Sequence, residues 1–145
     1  MTRAIPLSHL VLSVVPLAVA AGLAGCAALA PVPSGRADFQ SFCVSCHGAS
    51  GQGDGAAGAL LDTRPADLTR IAARRGGAFP RAEVMSKIWG YARGSATHPG
   101  MPAFGALLEG RTVLYDSGDG IETPTPLRLV QLAEYLETIQ TPAQP

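Results

Sequence analysis

Cys43-Val44-Ser45-Cys46-His47-Gly48 is the stretch on which the reading of this 145-residue chain turns. Two thiols three positions apart stand on one side of a helical turn, and the next residue sends out its imidazole beside them. So placed, the thiols can add to the two vinyl groups of one porphyrin while His47 ligates its iron, which is covalent attachment of a single haem c. Three blander readings stand beside it. A thioredoxin-like redox pair wants a βαβ setting, and no strand-rich pattern precedes Cys43. A structural zinc site wants four ligands, and past the leader the sequence offers Cys43, Cys46, His47 and His98 besides Cys26. A disulfide between the two thiols leaves His47 without a role.

Working outward, Phe39, Phe42, Cys43 and Cys46 recur at i, i+3, i+4 and i+7, which predicts a first helix from near Gly35 into the motif. Gly48 to Gly58 is too rich in glycine for regular structure and reads as a wrapped loop. A second helix is expected over Arg81 to Tyr91, where Val84, Met85, Ile88 and Trp89 form an apolar stripe behind Pro80. A third is expected to start at Thr125-Pro126, with Thr125 as the cap, and to carry Leu129, Leu132, Ala133, Leu136 and Ile139 on one face. Thr112 to Ile121 reads as a small hairpin or ordered loop before that last helix. The expected class is all-α: three main helices around one covalently bound haem.

Hydrophobic residues make up 47% of the chain, and much of that share lies in the first thirty positions. Arg3 is the only charge there, Leu10 to Ala24 is almost wholly apolar, and Leu23-Ala24-Gly25-Cys26 follows. This is the anatomy of an export leader. The tetrapeptide resembles the bacterial lipobox, in which the cysteine is acylated and becomes the first residue. The expected organisation is a lipoprotein signal over 1–25, an Ala/Pro tether over 26–34 and one folded domain over 35–141. An uncleaved membrane helix and an ordinary cleaved signal are the alternatives. Two or three acyl chains on Cys26 would hold the domain stably at a membrane surface.

The formal net charge is zero, which argues against nucleic acid as a partner. The distribution is uneven: Arg64 to Arg93 holds seven basic and two acidic residues, and Glu109 to Glu137 holds six acidic and two basic. Such asymmetry suits the steering of a redox partner, and equally suits two ordinary solvated surfaces.

The motifs together resemble the monohaem c-type cytochromes, class I-like and bacterial. The series is Cys-x-x-Cys-His-Gly at Cys43 to Gly48, Gly-x-Gly-Asp-Gly at Gly51 to Gly55, Pro-Ala-Asp-Leu-Thr at Pro65 to Thr69, and Met-Pro-Ala-Phe at Met101 to Phe104. The resemblance covers nearly all of residues 35 to 140. It implies the cytochrome c fold, in which Gly35 and Phe39 meet Leu132 and Tyr135 where the first and last helices cross. It also implies Met101 as the second iron ligand, a soft thioether that favours reduced iron and leaves no vacant coordination position. His98 and Met85 are the rival ligands, Met85 reading better as packing. By the same resemblance, the Pro65 carbonyl is expected to accept the other ring N–H of His47. Trp89 and Tyr91 are candidates for the haem propionates.

The function so implied is one-electron transfer between a redox donor and acceptor by a carrier lipid-anchored at the periplasmic face of a bacterial membrane. A haem domain with a labile Met101, acting as a small-ligand sensor or peroxidase-like enzyme, is the alternative. A fixed relay subunit whose 111–125 segment docks a partner is a third.

Overall fold

The computed structural model describes residues 31–91 and 100–142, so the leader, Cys26 and His98 lie outside the described residues. Five α-helices and one hairpin follow in order among the described residues: α1 (Gly35–Phe42), α2 (Val44–His47), α3 (Arg81–Trp89), α4 (Gly105–Leu108), β1 (Thr112–Asp116), β2 (Glu122–Pro126) and α5 (Leu127–Thr138). Short 3₁₀ turns occupy Gly58–Leu60, Leu68–Arg70 and Ala73–Arg75. The three longest helices are those expected from the apolar stripes, and a two-stranded hairpin stands before the last of them.

Ser34 starts α1, its hydroxyl accepting from the Ala37 N–H at 3.2 Å. The expected continuous helix is broken at Cys43, whose carbonyl takes the N–H groups of both Cys46 and His47, at 3.2 and 2.8 Å. That shared acceptor separates α1 from the single turn of α2. The helix α3 begins after Pro80, as expected, and stops at Trp89 rather than Tyr91. Left-handed Gly90 ends it, with its N–H on the Ser86 carbonyl at 3.1 Å.

The core is built where α1 and α3 pack on α5. Phe39, Val84, Met85, Ile88, Leu108, Leu129, Val130, Leu132, Ala133 and Leu136 are all buried there. Burying each of the larger side chains contributes roughly 1.5–3 kcal/mol. Gly35 and Phe39 do meet the last helix as expected. A Cβ on Gly35 would lie 1.9 Å from the Gln131 carbonyl oxygen, and the Phe39 and Tyr135 rings stand 5.3 Å apart. Beside this crossing the Asp38 carboxylate is paired with the Arg128 guanidinium, Nε to Oδ2 at 3.0 Å. Arg81 likewise ties α3 to α5 through Glu137, but both side chains are a third or more exposed, so that pair adds little stability.

The hairpin is antiparallel, pairing Thr112 with Pro126 through Asp116 with Glu122. Its second strand lies further along than expected, because Asp116 organises the turn. One carboxylate oxygen accepts from the N–H groups of Gly118, Asp119 and Gly120, at 2.8, 3.1 and 3.0 Å. Those backbone donors, Gly118 and Gly120 foremost, hold its pKa below the usual carboxylate range. The Leu127 N–H bonds to the Arg111 carbonyl at 2.8 Å, so the alternation of an antiparallel ladder turns Thr125 and Thr123 towards β1. Pro124 and Pro126 then present their ring nitrogens outward, where a missing N–H breaks no ladder bond.

Thr125 therefore does not cap α5. It pairs with Val113 inside the strand, and its hydroxyl is spent on the Thr123 carbonyl at 2.9 Å. Pro126 holds the cap position, and the ladder bond of Leu127 satisfies one of the donors at the helix start. At the other end, the Gln140 amide accepts from the Ala72 N–H at 2.9 Å and donates to the Leu68 carbonyl at 2.8 Å. The segment after the glycine loop is thereby fastened to the tail of α5.

Candidate haem-attachment site

Cys43 and Cys46 stand at the junction of α1 and α2 as free, half-buried thiols. Burial, then the charges of Asp38 and Cys46, push the Cys43 thiol up to about 11. A thiol so raised is neutral at pH 7, the opposite of the depressed thiol that thioredoxin-like exchange needs. Among the described residues no three of His, Cys, Asp and Glu cluster so as to hold a metal ion.

The glycine loop closes over the motif from below. Ala57, Gly55 and Gly53 donate their N–H groups to the carbonyls of Ser45, Cys46 and His47, at 2.9, 3.2 and 2.8 Å. These are the C-terminal carbonyls that a one-turn helix cannot satisfy itself. The approach is close enough to demand glycine. A Cβ on Gly55 would stand 2.5 Å from the Ser45 oxygen, and one on Gly53 would stand 2.2 Å from the Pro65 oxygen.

His47 Nδ1 lies 2.9 Å from the Ala66 carbonyl oxygen. A carbonyl only accepts, so Nδ1 carries the proton and Nε2 keeps its lone pair for a metal. The expected acceptor, Pro65, is corrected by one residue. The Pro65 carbonyl is turned against Gly53 and its ring against Gly58, which leaves the next carbonyl facing the imidazole.

Arg64, just ahead of the Pro65 to Thr69 motif, and Asp67 and Thr69 within it hold Ala66 there. The Arg64 guanidinium donates to the Gly53 carbonyl at 3.1 Å. Asp67 accepts from the N–H and hydroxyl of Thr69, at 2.9 and 2.6 Å, and the Leu68 N–H reaches the Gly51 carbonyl at 2.7 Å. The Asp-x-Thr spacing at Asp67 to Thr69 was the local signal for this turn.

Met101 is half-buried and packs against the core, just ahead of α4. The loop behind it is pinned to α3 twice. Phe104 donates its N–H to the Ile88 carbonyl at 2.9 Å, and Gly105 lies against Trp89, where a Cβ would stand 2.9 Å from the carbonyl oxygen. The Phe104 ring also stands 6.2 Å from that of Phe42, the residue before Cys43. The fold thus draws the Met101 segment towards the end of α1 that carries the thiols. Met85 is buried on α3 among Val84 and Ile88, as its packing role required. Trp89 is half-buried and Tyr91 is exposed, their rings 6.2 Å apart.

The donor set suits haem c. It comprises two free thiols on one turn, an imidazole fixed in the right tautomer, and a glycine cradle that a single Cβ would obstruct. No curated protein and no solved structure matches the chain. The family model for cytochrome c matches residues 32–111, more than half of the chain, which therefore belongs to the cytochrome c family, its Cys43 and Cys46 placed for one covalent haem c.

Proposed function

We propose that this cytochrome c domain is a membrane-tethered carrier with His47 and Met101 as its two iron ligands, passing single electrons between respiratory redox complexes. Haem-based electron transfer follows from the family; the ligand pair and the setting are our reading. The observation that carries it is the bond from His47 Nδ1–H to the Ala66 carbonyl, which readies Nε2 for iron. The bound haem supplies an iron that changes its charge by one. The chain's own part is to hold that change cheap: His47 is oriented by Ala66, Met101 by the Phe104 and Gly105 contacts with α3, and neither ligand needs to move. With His47 and Met101 as its ligands, a bound haem would have a higher reduction potential than one held by two imidazoles.

The ligand assignment is tested on the purified haem protein. Met101→Ala is expected to abolish the sulfur-to-ferric-iron charge-transfer band and to lower the potential, and unchanged values for both would transfer the role to another residue. The tether rests on Leu23-Ala24-Gly25-Cys26 and the apolar run before it. No helix among the described residues is long and apolar enough to cross a membrane. Cys26→Ser is expected to remove acylation, read as loss of labelled fatty acid from the protein. Labelling that persists would place the lipid elsewhere.

A further inference from the structure

We propose that Arg128 is a positioning residue that holds the Met101 loop closed, so that the lability of the sulfur ligand is set from the last helix; this rests on the reading of Met101 as ligand. The guanidinium touches both sides of the site at once. Nε and Nη2 take the carboxylate of Asp38, five residues before Cys43. Nη1 donates to the Leu107 carbonyl at 2.7 Å, in the single turn of α4 that follows Met101. The same group lies over the Phe42 ring, 5.8 Å from its centroid, and Phe42 in turn stands 6.2 Å from Phe104. Hydrogen bond, cation–π contact and ring pair converge on the seam between the thiol-bearing helix and the Met101 loop.

A pair kept only to join α1 to α5 needs no third bond. Two parallel N–H groups already serve the Asp38 carboxylate, whose side chain is 2% exposed against 22% for Arg128. The remaining donor goes instead to a main-chain carbonyl of a four-residue helix, which has no following turn to satisfy it. Only a planar fork serves a carboxylate and a carbonyl together. Lysine, a single ammonium on a flexible stem, keeps the charge and loses the second reach.

An iron held by a loop ligand exchanges between closed and sulfur-free forms, and an external ligand such as carbon monoxide enters only the second. Its binding rate to the reduced protein therefore reads the population of the open form. Losing one charge-assisted hydrogen bond specific to the closed form raises that population about tenfold, or about 1.4 kcal/mol.

The test uses the haem-loaded protein with four single or double changes, read by carbon monoxide binding rate, by the sulfur-to-iron band across alkaline pH, and by thermal midpoint. Arg128→Lys is expected to bind carbon monoxide about tenfold faster and to lose the band at lower pH than the parent. Asp38→Asn is expected to lower the midpoint while raising the rate well short of that of Arg128→Lys, because the guanidinium loses part of its anchor and still reaches Leu107. A parental rate and band in Arg128→Lys, with the band absent in Met101→Ala, would overturn the clamp and leave the ligand assignment standing. A band that survives Met101→Ala overturns both. An Asp38→Asn rate raised as far as that of Arg128→Lys makes Arg128 merely structural and overturns the clamp. Should Arg128→Lys fail to accumulate, Asp38→Leu/Arg128→Met, which strands no charge, takes its place with the same tenfold rise expected.

Discussion

Gly35→Ala is expected to destabilise the haem-bound domain by about 3 kcal/mol, lowering its thermal midpoint by roughly 10–20 °C. One methyl group has this effect because of what it meets. Its nearest neighbours are the carbonyl oxygen and carbon of Gln131, at 1.9 and 2.3 Å, and the nitrogen of Leu132 at 2.8 Å. All are backbone atoms of α5, so no rotamer change relieves the clash. An ordinary carbon–oxygen contact needs about 3.3 Å, so the helices must part by more than about 1 Å. That opens the Phe39–Tyr135 contact and the Asp38–Arg128 pair together. Nor can the chain release Gly35 by fraying, since Ser34 caps the helix at the residue before it. A loss under about 1 kcal/mol in a denaturant melt would mean that the helices slide past each other instead.

The second large effect is expected at the buried ion pair, where the two ways of removing it differ sharply. Arg128→Met leaves the Asp38 carboxylate inside the protein with no cation, and is expected to cost about 3–5 kcal/mol. Asp38→Leu/Arg128→Met removes both charges and fills the space with apolar atoms, so most of that loss should return. The comparison is made by denaturant unfolding of haem-loaded proteins at one pH. If the double variant proved as unstable as the single one, the pair would itself be a net source of stability. Together with carbon monoxide binding, the double variant separates two properties that Arg128 links. The fold should recover while the sulfur ligand stays labile.

Local chemistry explains how much of this was legible beforehand. Cys43, Cys46 and His47 announce themselves because covalent attachment fixes their spacing along the chain, and the stripes on α3 and α5 follow from helical geometry. That Gly35 and Phe39 meet the last helix was legible through the resemblance alone. The Pro65 assignment missed by one residue because adjacent carbonyls point opposite ways, and the choice depends on how Gly53 and Gly58 seat the proline. The Asp38–Arg128 pair joins positions ninety apart in the chain, a separation at which no local pattern gives warning. The register of the hairpin escaped for a similar reason. Thr125 looks like a helix cap in its own neighbourhood, and only pairing with Val113 makes it a strand residue.

That hairpin has a bearing on how these molecules behave in each other's company. An exposed strand edge is a template on which a second chain can pair, and proteins held at high density meet that hazard most often. Facing away from β1, the edge of β2 offers positions 122, 124 and 126, and two of the three are prolines. Only Glu122 keeps an outward N–H, and it carries a negative charge. A neighbour seeking to add a strand there finds acceptors with almost no donors. Along that edge of the hairpin, another strand has little to pair with.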